Sequence, residues 1–441
     1  MNILFGNTKL LSLITILIIA GYIYTLNGLP SGLLPYAIPA GIIAAWQVFA
    51  YSNQPYTLHK TTNVYFLLFF IVANLAQCAS KVIVTSLPLV FTISDYEQFQ
   101  FISLLIILSY NILYGIFLKS KERQQRDYNF NVNYRMCYFL CLLGFFATVI
   151  NFAGNPVQMF VRGLEYGEGE IGLFSANQTM GLIFSKIIRP LPFCVLLFAL
   201  LNGGFSKTQI RFFLLMTFLT LCPSALARNA TAMFWIPVFF MYFKFMQRKN
   251  IFVLSLFFGL FIVFPAIDIF RYFSEMRVSE NTGNLDYLLT MNYDSSQEFM
   301  CVLKLDTVTN GRQLLGVLLF WLPRSIWPAK PIGSGAFIAD QFGVFSNISM
   351  PFFGEGYLNF GYVGVVLFVI FFAYITAYGD RYYWGIKNVT MSGNVYNGIY
   401  LIAIGALLFI LRGDLMSSFA YTVGVMLSYL ATIKLCSKRI K

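Results

Sequence analysis

Apolar residues run along this chain in long, nearly unbroken stretches separated by short polar joints. The stretches lie at 10–29, 32–51, 63–84, 99–118, 134–153, 181–202, 211–226, 231–247, 251–269, 361–380, 395–411 and 417–434. A helix needs roughly twenty residues to cross the hydrocarbon of a bilayer, so most of these runs suffice. A membrane β-barrel requires apolar and polar residues to alternate with period two, and these runs are too continuous for that. The pattern predicts an all-α polytopic membrane protein of about twelve transmembrane helices. Its weakest members are 32–51, which contains Pro35 and Pro39, and the pair 211–226 and 231–247. That pair is short for full crossings, and SALARNAT between its members reads as a turn held within the membrane.

One long interval breaks the alternation. Residues 270–360, between spans 9 and 10, cannot cross a bilayer as a continuous helix and form a large loop with short interfacial helices. Within it 285–303 has the pattern of a surface helix. The 313–322 run is too short to span but apolar enough to lie in the interface, with Trp321 and Trp327 as anchors at headgroup depth. No internal repeat or linker divides the chain, so residues 1–441 read as a single integral membrane domain with this loop inserted.

Composition strengthens the membrane assignment. Of 441 residues 58% are hydrophobic and only 11% charged, whereas soluble domains carry roughly 25% charged residues. Lys9 precedes the first apolar run and no small-residue cleavage site follows, which points to a retained first span. The net charge of +12 reflects topology and not nucleic-acid binding. With both termini cytoplasmic, eighteen Lys and Arg fall on the inner side and nine on the outer, as the positive-inside rule requires. The inner set holds eleven Lys and seven Arg; the outer set holds two Lys and seven Arg. Arginine is the residue whose planar fork grips phosphate or carboxylate, so the outer bias points to anion recognition. Lys81, Lys186 and Arg189 fall within spans, and Arg189 is a secondary candidate because an intramembrane charge is costly.

Seven cysteines, in no CxxC or Cys/His spacing, suggest neither a zinc site nor a disulfide framework. His59 is the single histidine and topology puts it inside, which removes an external histidine base, a Ser-His triad and a His-ligated metal. Four NxS/T triplets match glycosylation sequons by chance in an Asn-rich chain.

The remaining chemistry lies in the outer segments. Arg228 follows the SALA turn and, with Asn229 or Thr231 as cap, stands at a helix N-terminus that favours anions; the alternative is an arginine snorkelling to headgroups. Arg412 and Asp414, in LRGDL between two spans, pair locally or serve a site. Arg324, in WLPRSIWPAKPIG, lies among prolines that leave the segment few conformations to lose, and Lys330 adds a point charge. Glu355, between glycines before a span, suits a partly desolvated general base, or an acid complementing the helix dipole. Asp268, Glu275, Asp340 and Asp414 compete with it, and Arg312 and Arg271 are further cations of the long loop.

These pieces together resemble the Wzy-type O-antigen and oligosaccharide repeat-unit polymerases. The likeness rests on about a dozen spans, a large external loop late in the chain, WLPRSIWPAKPIG, the GEGYLNFG approach to a span, and the ARNAT turn. Arg324 and Gly335 also have ten residues between them, a spacing that resembles a motif of such polymerases. In residues the resemblance is confined mainly to 228–237, 321–361 and 411–415. It implies a metal-independent glycosyltransferase of the bacterial inner membrane, with its active site facing the periplasm or exterior and no cofactor. The growing glycan would pass from undecaprenyl pyrophosphate to the non-reducing end of an incoming lipid-linked repeat unit. The implied partners are those lipid-linked oligosaccharides and the bilayer, with room for a chain-length regulator protein. On this reading Arg228, Arg324 and Arg412 hold pyrophosphate, Lys330 and Arg271 assist, and Glu355 leads as base. The rivals are a lipid-linked oligosaccharide flippase, which needs its charges inside facing spans, and the O-antigen ligase, which relies on an external histidine.

Overall fold

A computed structural model describes residues 7–119, 130–161, 173–174, 178–263, 265–266, 286–344, 348–384 and 394–439. Eight helices in it are long and apolar enough to cross a membrane. They are α1 (Thr8–Thr25), a 3-10 turn leading into α2 (together Ser31–Phe49), α3 (Leu58–Ser80), α4 (Ile93–Leu118), α5 (Tyr134–Asn151), α6 (Met180–Asn202), α13 (Phe352–Trp384) and α15 (Leu415–Cys436). Shorter helices complete the bundle: α7 (Lys207–Thr220), α8 (Arg228–Tyr242), α9 (Ile251–Val263) and α14 (Asn397–Arg412). Three more, α10 (Ser295–Leu305), α11 (Arg312–Leu318) and α12 (Ser334–Gln341), come from the long loop. The strands among the described residues are β1 (Phe130–Val132) and β2 (Ser437–Arg439), an antiparallel pair in which Phe130 faces Arg439.

Helix α3 is the hub, with 94% of its apolar window buried, against 11% for α1 at the rim. Lipid tails are as apolar as leucine, so helices here associate by close packing and hydrogen bonds and not by hydrophobic exclusion. Small residues make that approach feasible. A Cβ on Gly405 of α14 would stand 2.8 Å from Cα of Met233, so no larger residue lets α14 lie this close to antiparallel α8. That contact sets the spacing between Arg228, at the start of α8, and Arg412, at the end of α14.

Contacts between joints separate two ends of the bundle. At one end β1 meets β2, Tyr134 Oη donates to the Gly204 carbonyl, Lys249 Nζ to Asn53, Arg381 to the Phe117 carbonyl and Trp384 Nε1 to the Tyr56 carbonyl. These are the joints that sequence reading assigned to the basic, inner side. At the other end Lys304 pairs with Asp95 at 2.6 Å, Gln98 donates to Tyr362, and Arg412 meets Asp294.

The long loop differs from expectation. The region read as a surface helix at 285–303 contains α10, whose residues Ser295–Leu303 are all buried against α3, α4 and α13. Of the polar residues that mimic a solvated face, Ser296 and Gln297 are satisfied internally. Gln297 Oε1 accepts from Val84 N at 2.8 Å, and its amide donates to the Val82 carbonyl at 2.8 Å. Helix α11 covers part of the apolar 313–322 run, and Trp321 is exposed. Helix α13 starts nine residues before the anticipated span and breaks at Phe360–Gly361, where Gly361 takes φ +60° and ψ −148°, a region suited to glycine. The break folds Gly356 onto Gly364, whose carbonyl oxygen would lie 2.9 Å from a Cβ at Gly356. Thr309 N and Leu314 N, bonded to the Leu358 carbonyl and Asn359 Oδ1, tie α11 to this pre-break turn.

Candidate functional site

At the end away from β1 and β2, α8, α14, the α14–α15 turn and residues 287–294 enclose a cleft of about 320 Å³. Arg228 occupies the first turn of α8, and the N-cap is Ala227, so no side chain caps this helix; Asn229 Oδ1 instead accepts from Ala230 N at 2.7 Å. Trp235 Nε1 holds the preceding turn by donating to the Leu221 carbonyl at 2.9 Å. The Arg228 guanidinium donates to Asn292 Oδ1 and lies 5.9 Å from the Tyr287 ring centroid. Arg412, the last residue of α14, donates through Nε and Nη2 to Asp294 Oδ1 at 3.2 and 3.0 Å, and through Nη2 to the Met291 carbonyl at 2.7 Å. Asp294 immediately precedes α10. Two forks thus converge from the middle and last thirds of the chain, beside the aromatic faces of Phe69, Tyr287 and Tyr293.

Asp414 also lines the cleft, but both its oxygens are committed: Oδ1 caps α15 by accepting from Ser417 N at 3.1 Å, and Oδ2 accepts from Gly335 N at 3.2 Å. Through that second bond it ties α12 to α15.

Other anticipated residues take different places. Glu355 is fully buried and does not line the cleft; its oxygens accept from Ser334 Oγ at 2.7 Å and Leu415 N at 3.1 Å. It joins α12, α13 and α15, and its burial is complete where partial desolvation was expected. Arg324 is also outside the cleft. Its guanidinium donates to the carbonyls of Lys330 at 2.7 Å and Pro331 at 3.2 Å, and Lys330 Nζ donates to those of Phe320 at 2.6 Å and Leu322 at 2.9 Å. Proline-rich backbone leaves carbonyls without N–H partners of their own, and these two cations fill that need. Burial, with help from Arg324, pulls the Lys330 ammonium below the usual lysine range. Arg312 and Lys330 line a separate hollow of about 420 Å³. Asp340 is exposed on α12. Arg189 is buried in the bundle, donating to the Thr220 carbonyl at 3.1 Å. Arg271, Asp268 and Glu275 lie outside the described residues. His59 is buried at the opposite end, 2.7 Å from Asn111 Oδ1, and the seven cysteines are free and buried.

Sequence reading missed Asp294, Asn292 and Glu298. Glu298 stands one turn after Asp294, is buried, and has Oε2 without a hydrogen-bond partner among the described residues. Burial, reinforced by the Asp294 charge, pushes its carboxyl well above the ordinary range. The signal was DSSQE, five consecutive polar positions around every face of one helix start, which an amphipathic helix does not show.

An apolar cavity of about 910 Å³ flanks the cleft. It follows α14 from Tyr396 to Ile410 between α13 and α15, about 22 Å at 1.5 Å per residue, and reaches Leu415 and Phe419. The α14–α15 turn therefore turns Asp414 to the cleft and Leu415 to the cavity. Fold and site define a predominantly helical chain, among the described residues, with membrane-length apolar helices and an arginine-bearing cleft beside an apolar corridor. Comparison with known protein families, curated proteins and solved structures finds no match.

Proposed function

We propose that this protein is a glycan polymerase of the bacterial inner membrane, transferring a growing chain from polyprenyl diphosphate to a lipid-linked repeat unit on the external face. The observation that carries the reading is the convergence of Arg228 and Arg412 on one cleft next to the apolar corridor. A diphosphate needs cations, a sugar ring favours aromatic faces and amide side chains, and an isoprenoid tail needs an apolar channel; the three environments adjoin at the α14–α15 turn. In this reading α7, α8, α9 and α14 cross as shorter spans, giving about twelve crossings with both termini cytoplasmic and the cleft outside. Arg228 binds the diphosphate and Arg412 supports it, while Arg324 and Lys330 rigidify the loop above. Preorganised cations of this kind lower the barrier to departure of an anionic leaving group by roughly 3 kcal/mol each.

Deleting the gene and analysing the cell's glycan tests this. Single repeat units in place of long polymer support it; complete absence of external glycan favours a flippase, and unligated long polymer favours a ligase.

A further inference from the structure

Two carboxylates, Asp294 and Asp414, line the cleft, Glu355 is buried away from its lining, and their bonding separates the three. Both oxygens of Glu355 are taken by Ser334 and Leu415, and both of Asp414 by Ser417 and Gly335, so each holds helices together. Asp294 is different. It lines the cleft, and both its bonds from Arg412 fall on Oδ1, leaving Oδ2 without a hydrogen bond among the described residues. The Arg412 clamp holds Oδ1 from two guanidinium nitrogens. Two further polar atoms of the cleft wall, Tyr293 Oη and Ser349 Oγ, are buried without partners among the described residues. Buried polar atoms in native structures are nearly always satisfied, so such atoms around a cleft indicate a hydroxyl-rich ligand.

We infer that Asp294 Oδ2 accepts the proton of the attacking sugar hydroxyl, with Tyr293 and Ser349 orienting the acceptor ring. The inference rests on the polymerase reading. The hydroxyl oxygen bonds to the donor's anomeric carbon as the bond from that carbon to the diphosphate oxygen breaks. The electron pair leaves on the polyprenyl diphosphate, whose charge Arg228 faces. The hydroxyl proton passes to Asp294 Oδ2 and from there to water. Arg412 positions the base in this scheme.

The test uses full-length protein in lipid nanodiscs, with lipid-linked repeat unit extracted from cells lacking the gene. Asp294→Asn is expected to lower turnover by at least about a hundredfold, the scale of a lost general base, with KM changed less than about threefold. Formate added to Asp294→Ala restores part of the rate. Asp340→Asn keeps wild-type turnover. Near-wild-type turnover in Asp294→Asn overturns the assignment. Should that variant fail to fold, carbodiimide-driven amide formation on wild-type protein decides. Loss of turnover in step with modification of the Asp294 peptide supports the inference, and full turnover with Asp294 modified overturns it. Wild-type protein that joins no repeat units overturns the polymerase reading itself, an outcome distinct from an active Asp294→Asn.

Discussion

Arg228 and Arg324 show how one residue type in similar sequence settings reaches opposite fates. Both follow turn-like segments, and both carried the same expectation of phosphate binding. Arg324 spends its fork on the Lys330 and Pro331 carbonyls away from the cleft, whereas Arg228 lines the cleft and donates to Asn292 there. Arg228→Lys, which keeps the charge and loses the planar fork, should reduce polymer synthesis about as strongly as Arg228→Ala, by about a hundredfold. Glycan length on a gel reads this, and full-length polymer from the lysine variant refutes it. Arg324→Ala should instead lower thermal stability while leaving diphosphate affinity intact. Glu298 supplies a pH test. Its carboxyl is raised by burial, so the fold binds the proton more tightly than the unfolded chain does. Stability is full below the ordinary glutamate range and declines as pH climbs through the raised value. Melting temperature measured from mildly acid to alkaline pH should fall more steeply for wild type than for Glu298→Gln.

At the scale of elements, most helices were legible because apolar run length is a direct physical requirement of crossing lipid. What failed was α10. Its polar residues looked like a solvated face because sequence carries no sign that the backbone at 82–85 needs side-chain partners, and Gln297 answers that need. The α13 break was equally hidden, although the glycines at 356, 361 and 364 mark it in hindsight. Gly364→Ala forces a methyl against the Gly356 carbonyl and should destabilise by about 1–3 kcal/mol, read as a lower melting temperature in detergent. Gly405→Val should push α14 from α8, separate Arg412 from Arg228, and reduce turnover while the helices remain inserted; unchanged turnover would show the spacing is unimportant.

Across the whole molecule, eight of the apolar runs read from the sequence are helices long and apolar enough to cross a membrane, and the joints between helices divide between two ends of the bundle. The site was only half readable, because its walls come from distant segments: Arg228 bonds a residue 64 positions away and Arg412 one 118 positions away. No local pattern encodes such pairings. Since all seven native cysteines are buried, engineered ones can report sidedness cleanly. A membrane-impermeant maleimide should label Ser325→Cys in intact cells and Lys207→Cys only after permeabilisation; the reverse pattern would invert the proposed orientation.

The Arg412–Asp294 clamp also bears on biogenesis. A carboxylate enclosed at the head of α10 is costly until its guanidinium partner arrives, and that partner is made more than a hundred codons later. The pocket therefore closes only when α14 has left the ribosome and docked on α8. Nascent chains caught before that point leave the carboxylate at the head of α10 without its guanidinium partner.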